Sequence, residues 1–337
     1  MRRAPSFSNG VPRALFTAWL PLAGLSACSG PQSTLEVAGN EAERIAQLFW
    51  WMTIGSIAIW AFVVALSIYA AYVAPTPHPE KAGRLLIVGG GVVFPTLVLA
   101  VLLGYGLSML PGVLAKAPEG SLRIRVSGEQ WWWRVRYLPA AGPPIDLANE
   151  IRLPAGESVE FELESPDVIH SFWIPSLGGK VDMIPGRQTR LRLHPTRPGV
   201  YRGACAEYCG TSHALMAFSV VVQERREFEA WLAAQALPAS EPARPATRLG
   251  QGLFLSNGCG ACHRVRGTAA DGAIGPDLTH VGSRLSLGAG TLGNEPSDFR
   301  AWIARTAELK PGVHMPAFGM LPAPELDALA SYLEGLK

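Results

Sequence analysis

Residues 205–216 read CAEYCGTSHALM, and these twelve positions say most about the domain that contains them. They hold two thiols, an imidazole and a thioether: Cys205, Cys209, His213 and Met216. Soft sulfur with imidazole suits copper or zinc, and a thioether favours copper. A zinc site would need four Cys/His ligands and would give Met216 no role. A disulfide between the two cysteines is the other alternative, and it would leave the spacing of the histidine and the methionine unexplained.

A further imidazole precedes this stretch. His170 follows Asp167-Val168-Ile169, just after a predicted strand. A blue site with one copper needs one thiolate, two histidines and a distant methionine. Because this chain offers a second thiolate, the two thiolates can bridge two copper ions, each capped by one histidine. An electron shared by two metals changes the geometry of each only slightly, which suits electron transfer.

The motif C-x-E-x-C-x3-H-x2-M, with the upstream segment DVIHSFWIP (167–175), resembles the dinuclear CuA domain of cytochrome c oxidase subunit II. The resemblance implies an all-β, cupredoxin-like Greek-key barrel in which both cysteines bridge two copper ions. It also implies that His170 and His213 are terminal ligands and that Met216 is a weak one. Glu207 would offer its backbone carbonyl to copper, and its carboxylate would face a magnesium ion at the junction with subunit I.

The run GEQWWW at residues 128–133 resembles a G-x-Q-W-aromatic-W signature of the same family. The resemblance implies that Trp131 lies near the copper and receives electrons from cytochrome c. Aromatic residues in strands usually pack in the core, and we expect this of at least one of the three tryptophans.

Short alternating segments bounded by proline and glycine continue to about Val222 and predict the β-strands of a sandwich or barrel. Examples are Leu122–Val126, Val159–Leu163 and Thr189–Leu193. Three acidic residues share one face of the second segment: Glu160, Glu162 and Glu164. They predict a solvated stripe rather than a docking patch.

Residues 259–263 read CGACH, the C-x-x-C-H attachment motif of a c-type haem. The thiols of Cys259 and Cys262 would add across the haem vinyl groups, and His263 would be the proximal iron ligand. A zinc or redox motif is the alternative. A carrier-sized domain with a proline-flanked methionine near its end favours haem.

The second iron ligand must come from downstream, where a thioether would raise the reduction potential. Residues 314–316 (HMP) resemble the ligand loop of small bacterial cytochromes c, so we expect Met315 rather than Met320 to bind iron. A resemblance to cytochrome domains fused to subunit II implies that Arg284 and Trp302 hold the haem propionates. Ordinary packing is the alternative for both residues.

The amino end is typical of an export signal. Arg2, Arg3 and Arg13 precede an apolar run, residues 14–27, that ends in small residues. This pattern predicts a signal peptide over residues 1–27. The ending Leu-Ser-Ala-Cys resembles a bacterial lipobox and implies that Cys28 is lipidated, whereas the alternative is an incidental cysteine after an ordinary signal.

Two uncharged stretches follow, residues 45–73 and 85–115. Each exceeds the ~20 residues that span a bilayer, so we predict a transmembrane hairpin with helices at about 45–73 and 85–112. Buried helices of a soluble domain are the alternative. Lys81 and Arg84 place the connecting loop in the cytoplasm, which puts everything after Lys116 outside.

The composition agrees with a partly membrane-bound chain. Charged residues make up 17% of the 337 residues, against about 25% in ordinary soluble domains, and 48% are hydrophobic. The formal charge of +2 does not suggest a nucleic-acid-binding protein, and the hydrophobic content excludes a disordered one.

These features predict a multidomain membrane protein. A transmembrane hairpin (45–115) follows an external segment (28–44) and precedes an all-β CuA domain (116–225). A helix with a flexible linker (226–247) leads to an all-α cytochrome c domain (248–337). The expected location is the cytoplasmic (inner) membrane of a bacterium, with both large domains on the periplasmic side.

The resemblance implies the subunit at which electrons enter a haem–copper cytochrome c oxidase. Electrons would pass from haem c to CuA and on to subunit I, a separate chain that would reduce oxygen. The expected partners are subunits I and III, an external cytochrome c or other donor, and membrane lipid, with no nucleic acid. The alternatives are the CuA subunit of a nitric oxide reductase and a copper-binding protein without catalytic function.

Overall fold

The computed structural model describes residues 30–74 and 79–337 of the protein. Cys28 and the predicted signal peptide lie outside these residues, so lipidation of Cys28 stays a prediction. Within them the chain forms a pair of apolar helices, a β domain and a helical C-terminal domain, in that order. The predicted fold class and its three-part layout are confirmed.

Two long helices precede the β domain in the described part of the chain. The first consists of α1 (Asn40–Ile68) and a π-helical end (Tyr69–Val73). The second consists of α2 (Glu80–Leu85), a π-helical stretch (Leu86–Val93) and α3 (Phe94–Leu114). Their apolar spans have mean hydropathies of 2.1 and 2.5, and none of the most apolar part is buried within the protein. Long apolar helices that stay exposed are typical of membrane-spanning segments and not of the core of a soluble domain.

Each helix begins five residues before its predicted start, at Asn40 rather than Ile45 and at Glu80 rather than Leu85. The charged residues ahead of each apolar stretch therefore form a first helical turn instead of a loop. In α1 this turn also contacts the β domain, because Glu41 Oε2 accepts a hydrogen bond from His194 N at 3.0 Å.

Ten strands form the β domain in two five-stranded sheets. The strands are β1 (Leu122–Glu129), β2 (Trp132–Leu138), β3 (Ile145–Ala148), β4 (Glu150–Pro154), β5 (Val159–Glu164), β6 (His170–Trp173), β7 (Val181–Met183), β8 (Thr189–Leu193), β9 (Gly199–Cys205) and β10 (Ala217–Gln223). One sheet has the order β3-β2-β1-β5-β8 and the other β4-β10-β9-β6-β7. Alternate side chains face inward and form one core, in which Trp133 is fully buried against Phe172 and Phe218.

The glutamates of β5 do not form the predicted solvated stripe. Glu162 is 4% exposed. Its carboxylate pairs with Arg123 and, at 2.9 Å, with Arg125, both on the parallel neighbour β1. The prediction was wrong for Glu162 because its partners come from a strand more than thirty positions upstream, which the local pattern cannot show.

Four more helices complete the chain: α4 (Arg225–Gln235), α5 (Pro245–Ser256), α6 (Pro296–Leu309) and α7 (Ala323–Glu334). Helices α5 and α6 both pack on α7 around a small core. The segment between α4 and α5 is bonded to the C-terminal domain and not the free coil that we predicted. Ala239 N donates to Arg266 O at 2.9 Å, and His280 Nε2 lies 3.0 Å from Leu237 O.

The C-terminal domain packs against the β domain through separate segments of its chain. Arg134 Nη2 donates to Ala273 O at 3.1 Å, and Glu150 Oε2 accepts a bond from Leu285 N at 2.8 Å. A backbone bond of 3.1 Å joins Ala217 N to the carbonyl of residue 289. Bonds at several points fix one orientation of the two domains.

Candidate copper and haem sites

The predicted copper donors meet at one end of the β domain. His170 begins β6, Cys205 ends β9, and the other donors lie in the loop between β9 and β10. The distances are 3.7 Å from Cys205 Sγ to Cys209 Sγ, 3.8 Å from Cys205 Sγ to His170 Nδ1, 3.5 Å from Cys209 Sγ to His213 Nδ1 and 3.8 Å from Cys209 Sγ to Met216 Sδ. The site is buried: His170, Cys205 and Cys209 all lie below the surface and hold their ligand atoms within 4.8 Å of one another.

The arrangement of the two thiols fits a pair of soft metal ions. Each sulfur lies beside a different imidazole, Cys205 beside His170 and Cys209 beside His213. The sulfurs are too far apart for a disulfide, which needs about 2.05 Å, and the cysteines of the described residues are free. This donor set suits copper, although the role of each ligand stays a prediction.

The contact between the thiols sets their protonation. The hydrogen bond with Cys209, together with one to His170, lowers the pKa of Cys205, and the same contact raises the pKa of Cys209. The contact therefore favours the thiolate form of Cys205, the first of the pair. A metal ion, which requires thiolate ligands, would favour the second as well.

Asp167 orients His170 and is a residue to which the sequence analysis assigned no role. Its Oδ1 lies 2.9 Å from His170 Nε2, which leaves Nδ1 facing Cys205. Burial lowers the pKa of His170, but its contacts with Cys205 and Asp167 outweigh burial and raise that pKa overall. The carboxylate also accepts the backbone N–H of Gln130 at 2.7 Å, which ties the histidine to the tryptophan run. An acidic residue three positions before a ligand histidine is the signal that could have identified it.

Glu207 turns its backbone toward the metal site and its side chain away. Cys205 Sγ lies 3.2 Å from Glu207 O, and Glu207 is exposed. A carbonyl at this position can add an oxygen ligand beside the sulfurs. The magnesium ion expected at its carboxylate stays a prediction.

Trp131 lies against the copper loop, at 7% exposure. Its Nε1 donates to Cys209 O at 3.0 Å, and Gln130 Nε2 donates to the same carbonyl at 2.8 Å. Gly210 has φ +112°, and a Cβ there would lie 3.0 Å from both side chains, so this position requires glycine. On its other side the indole meets Gly312 of the C-terminal domain, where a Cβ would lie 2.7 Å from Trp131 Cη2.

The predicted haem attachment residues lie in a 3-10 turn, Cys259–Ala261, and directly after it. The thiols of Cys259 and Cys262 are half-buried and free. His263 Nδ1 lies 2.8 Å from Pro276 O, which leaves Nε2 for a ligand, and burial lowers the pKa of His263, which favours the neutral imidazole. Gly275 leaves room for the ring, because a Cβ there would lie 2.5 Å from His263 Cε1. These residues fit a covalently bound haem.

The loop with the two candidate methionines is fixed to α6. Phe318 N donates to Ile303 O at 2.9 Å, and Thr306 Oγ1 donates to Pro316 O at 3.3 Å. Met315, directly before Pro316, is half-buried, whereas Met320 is 77% exposed. The geometry favours Met315, and its role as iron ligand stays a prediction.

Arg284 lies close to the β domain, whereas Trp302 contacts a glycine of its own domain. Arg284 Nη2 donates to Asp277 O, and the next residue bonds to Glu150 of the β domain. The Trp302 ring lies against Gly288, where a Cβ would come within 2.6 Å of it. Contact with haem propionates stays a prediction for both.

Comparisons with known proteins agree with this architecture. Residues 139–224 match the family described as cytochrome c oxidase subunit II, periplasmic domain, and residues 247–337 match the cytochrome c family. Cytochrome c oxidase subunit 2 of Bacillus subtilis is 29% identical over 96% of this chain and 97% of the relative. The subunit of Alkalihalophilus pseudofirmus is 39% identical over 65% of this chain, a match that spans 62% of that relative. A probable cytochrome c oxidase subunit 2 of Rickettsia bellii is 31% identical over 53% of this chain and 75% of its own.

The first matched segment covers strands β3 to β10 of the β domain, with β1 and β2 ahead of it, and the second covers the C-terminal helical domain. A subunit II domain implies a CuA site and a cytochrome c domain implies haem, and donors for both are present in the described chain. The relatives are themselves subunits of an oxidase. The chain therefore belongs to the cytochrome c oxidase subunit II family, with a cytochrome c domain after its copper domain.

Proposed function

We propose that this chain is the subunit at which electrons enter a respiratory haem–copper cytochrome c oxidase. When bound, haem c and the dinuclear CuA centre supply one-electron chemistry between an external donor and subunit I, where oxygen is reduced to water. One observation carries the proposal: the segment leading to Met315 packs directly on the copper loop. Ser212 Oγ donates to Pro311 O at 2.6 Å in this contact.

The residues around the copper donors position them through hydrogen bonds. Asp167 fixes the ring of His170, while Gln130 and Trp131 bond to the carbonyl of Cys209. Burial keeps bulk water from the sulfurs. Donors that are already in place move little when an electron arrives, which suits a relay.

The chain's own cytochrome domain is the immediate electron donor in this proposal. Trp131, expected to receive electrons from cytochrome c, is covered by Gly312 of the C-terminal domain. An external cytochrome c would then reduce haem c and would not contact Trp131. The same packing removes the need for diffusion between donor and acceptor.

Membership of the subunit II family implies association with subunit I. We place the hairpin in the bacterial inner membrane, with the copper and haem domains on the periplasmic side. Subunit III, a magnesium ion at Glu207 and a lipid on Cys28 belong to the same proposal. The two apolar helices and the family of the β domain support the placement in the membrane and on the periplasmic side.

The test is to purify the membrane complex that contains the chain and to measure its oxygen consumption with an artificial reductant. We expect oxygen consumption, a haem c absorption band and an EPR spectrum split by two equivalent coppers. A single-copper spectrum would contradict the dinuclear site. Reduction of nitric oxide without oxygen consumption would identify a nitric oxide reductase, and a complex that turns over neither gas would indicate a copper-binding protein.

A further inference from the structure

Lys310, directly after α6, is a lysine with 1% exposure. Lysine is rarely buried to this extent, because removing an ammonium group from water is costly unless hydrogen bonds replace the water. Burial lowers the pKa of Lys310 to about 7, and the nearby side chain of Cys209 acts in the opposite direction. Nothing in the haem attachment motif or the copper loop accounts for this residue.

The hydrogen bonds of Lys310 join the two domains. Its Nζ donates to Leu215 O at 2.8 Å and to Gly288 O at 2.7 Å. Leu215 directly precedes the predicted copper ligand Met216, whereas Gly288 lies in the C-terminal domain. Within the described part of the chain, no carboxylate pairs with Lys310, so the ammonium group serves these two carbonyls.

The two residues after Lys310 also contact the β domain. Pro311 O accepts the Ser212 hydroxyl, and Gly312 meets the Trp131 indole. Three consecutive residues of the C-terminal domain thus contact the copper loop or the tryptophan beside it. They lie between α6 and Met315, so any shift here would also move the predicted haem ligand relative to the copper donors.

We propose that Lys310 is a positioning residue that holds the cytochrome domain on the copper loop in a single orientation for electron transfer within the chain. This rests on the proposed function. The bond to Gly288 O alone would serve the fold of the C-terminal domain. The bond to Leu215 O contributes nothing to that fold, and it specifies where the domain sits.

The experiment uses the purified oxidase complex with Lys310→Met, which keeps the length of the side chain and removes its donors. Lys337→Met is the matched control, because Lys337 is 62% exposed in its side chain and pairs only within its own helical end. The measurement is the rate at which pre-reduced haem c reduces the copper centre, followed by absorbance. Haem absorbance and the copper EPR spectrum are recorded on each variant.

We expect Lys310→Met to slow this transfer about tenfold, because two buried carbonyls lose their donor and the docked orientation is less populated. The copper and haem spectra should not change, and Lys337→Met should transfer electrons at the wild-type rate. An unchanged rate in Lys310→Met would overturn the proposal. Absence of transfer in the wild-type complex would instead contradict the proposed function.

A second variant guards against loss of folding. Ser212→Ala removes the hydrogen bond to Pro311 O, which also joins the two domains, and leaves Lys310 in place. If Lys310→Met fails to hold haem, slower transfer in Ser212→Ala with unchanged spectra supports a positioning role for this contact. A wild-type rate in Ser212→Ala would then overturn the positioning role of this contact between the domains.

Discussion

The copper site and the haem site of this chain are held in different ways. The copper donors extend from strand ends of a large β core, and their ligand atoms already contact one another. The haem attachment residues lie in turns and loops around a much smaller helical core, with half-buried thiols. The β domain therefore has a large core of its own, whereas haem, when bound, would complete the smaller core of the helical domain.

The largest expected effect comes from removing each cofactor in turn. Cys259→Ala with Cys262→Ala should prevent covalent haem attachment and leave residues 248–337 open to proteolysis, because a domain of this size has little core without haem. Cys205→Ala with Cys209→Ala should abolish the copper EPR signal and leave residues 122–223 resistant. Limited proteolysis with mass spectrometry locates the cleavage sites in both variants.

Each double variant is the control for the other, since each removes two thiols and one cofactor. If both domains resist proteolysis equally, or if the β domain is cleaved after loss of copper, the two domains do not differ in how far they depend on their cofactors. The haem absorption band and the copper EPR signal report which cofactor is lost.

The sequence predicted most donors of both sites because their spacing is local, whereas His170 and Met315 lie outside the two local motifs and were assigned through a resemblance. The loop 205–216 and the motif 259–263 each place their residues within one turn or loop, whose geometry a short sequence can specify. The residues without a predicted role act over long separations in the chain. Asp167 bonds to Gln130, and Lys310 bonds to Leu215, contacts that exist only once strands and domains have packed.

A smaller effect tests how the helical domain packs around its cofactor. Gly250 of α5 lies where a Cβ would run into Ala328 O of α7 and come within 2.7 Å of Tyr332 Cβ. Gly250→Ala should destabilise the C-terminal domain by about 1–3 kcal/mol, because the helices must separate. Denaturant unfolding followed by haem absorbance measures this change, and the copper EPR spectrum should stay as in the wild type.

Gly252→Ala is the control, two residues further along the same helix, where a Cβ would meet nothing within 4 Å. Replacing a helical glycine by alanine at such a position should stabilise by about 0.5–1 kcal/mol. The two variants should thus change stability in opposite directions. A similar change in both would mean that the contact between α5 and α7 does not support the haem domain.

The smallest effect concerns the β domain, whose stability should come from its own strands. Burial raises the pKa of Glu162, but the bonds from Arg125 and Arg123 outweigh burial and lower that pKa below its ordinary value of 4.5. A carboxyl with a lowered pKa in the folded state stabilises fully above the unfolded value and loses this contribution as the pH falls through the folded one. Glu162→Gln should therefore lower the free energy of unfolding by about 1 kcal/mol at pH 7 and by progressively less below pH 4.5.

Glu164→Gln, on the same strand face, should change the free energy of unfolding by less than about 0.5 kcal/mol at either pH. Urea unfolding followed by tryptophan fluorescence compares them, and a deficit in Glu162→Gln that persists in acid would show that the ion pairs do not support the sheet.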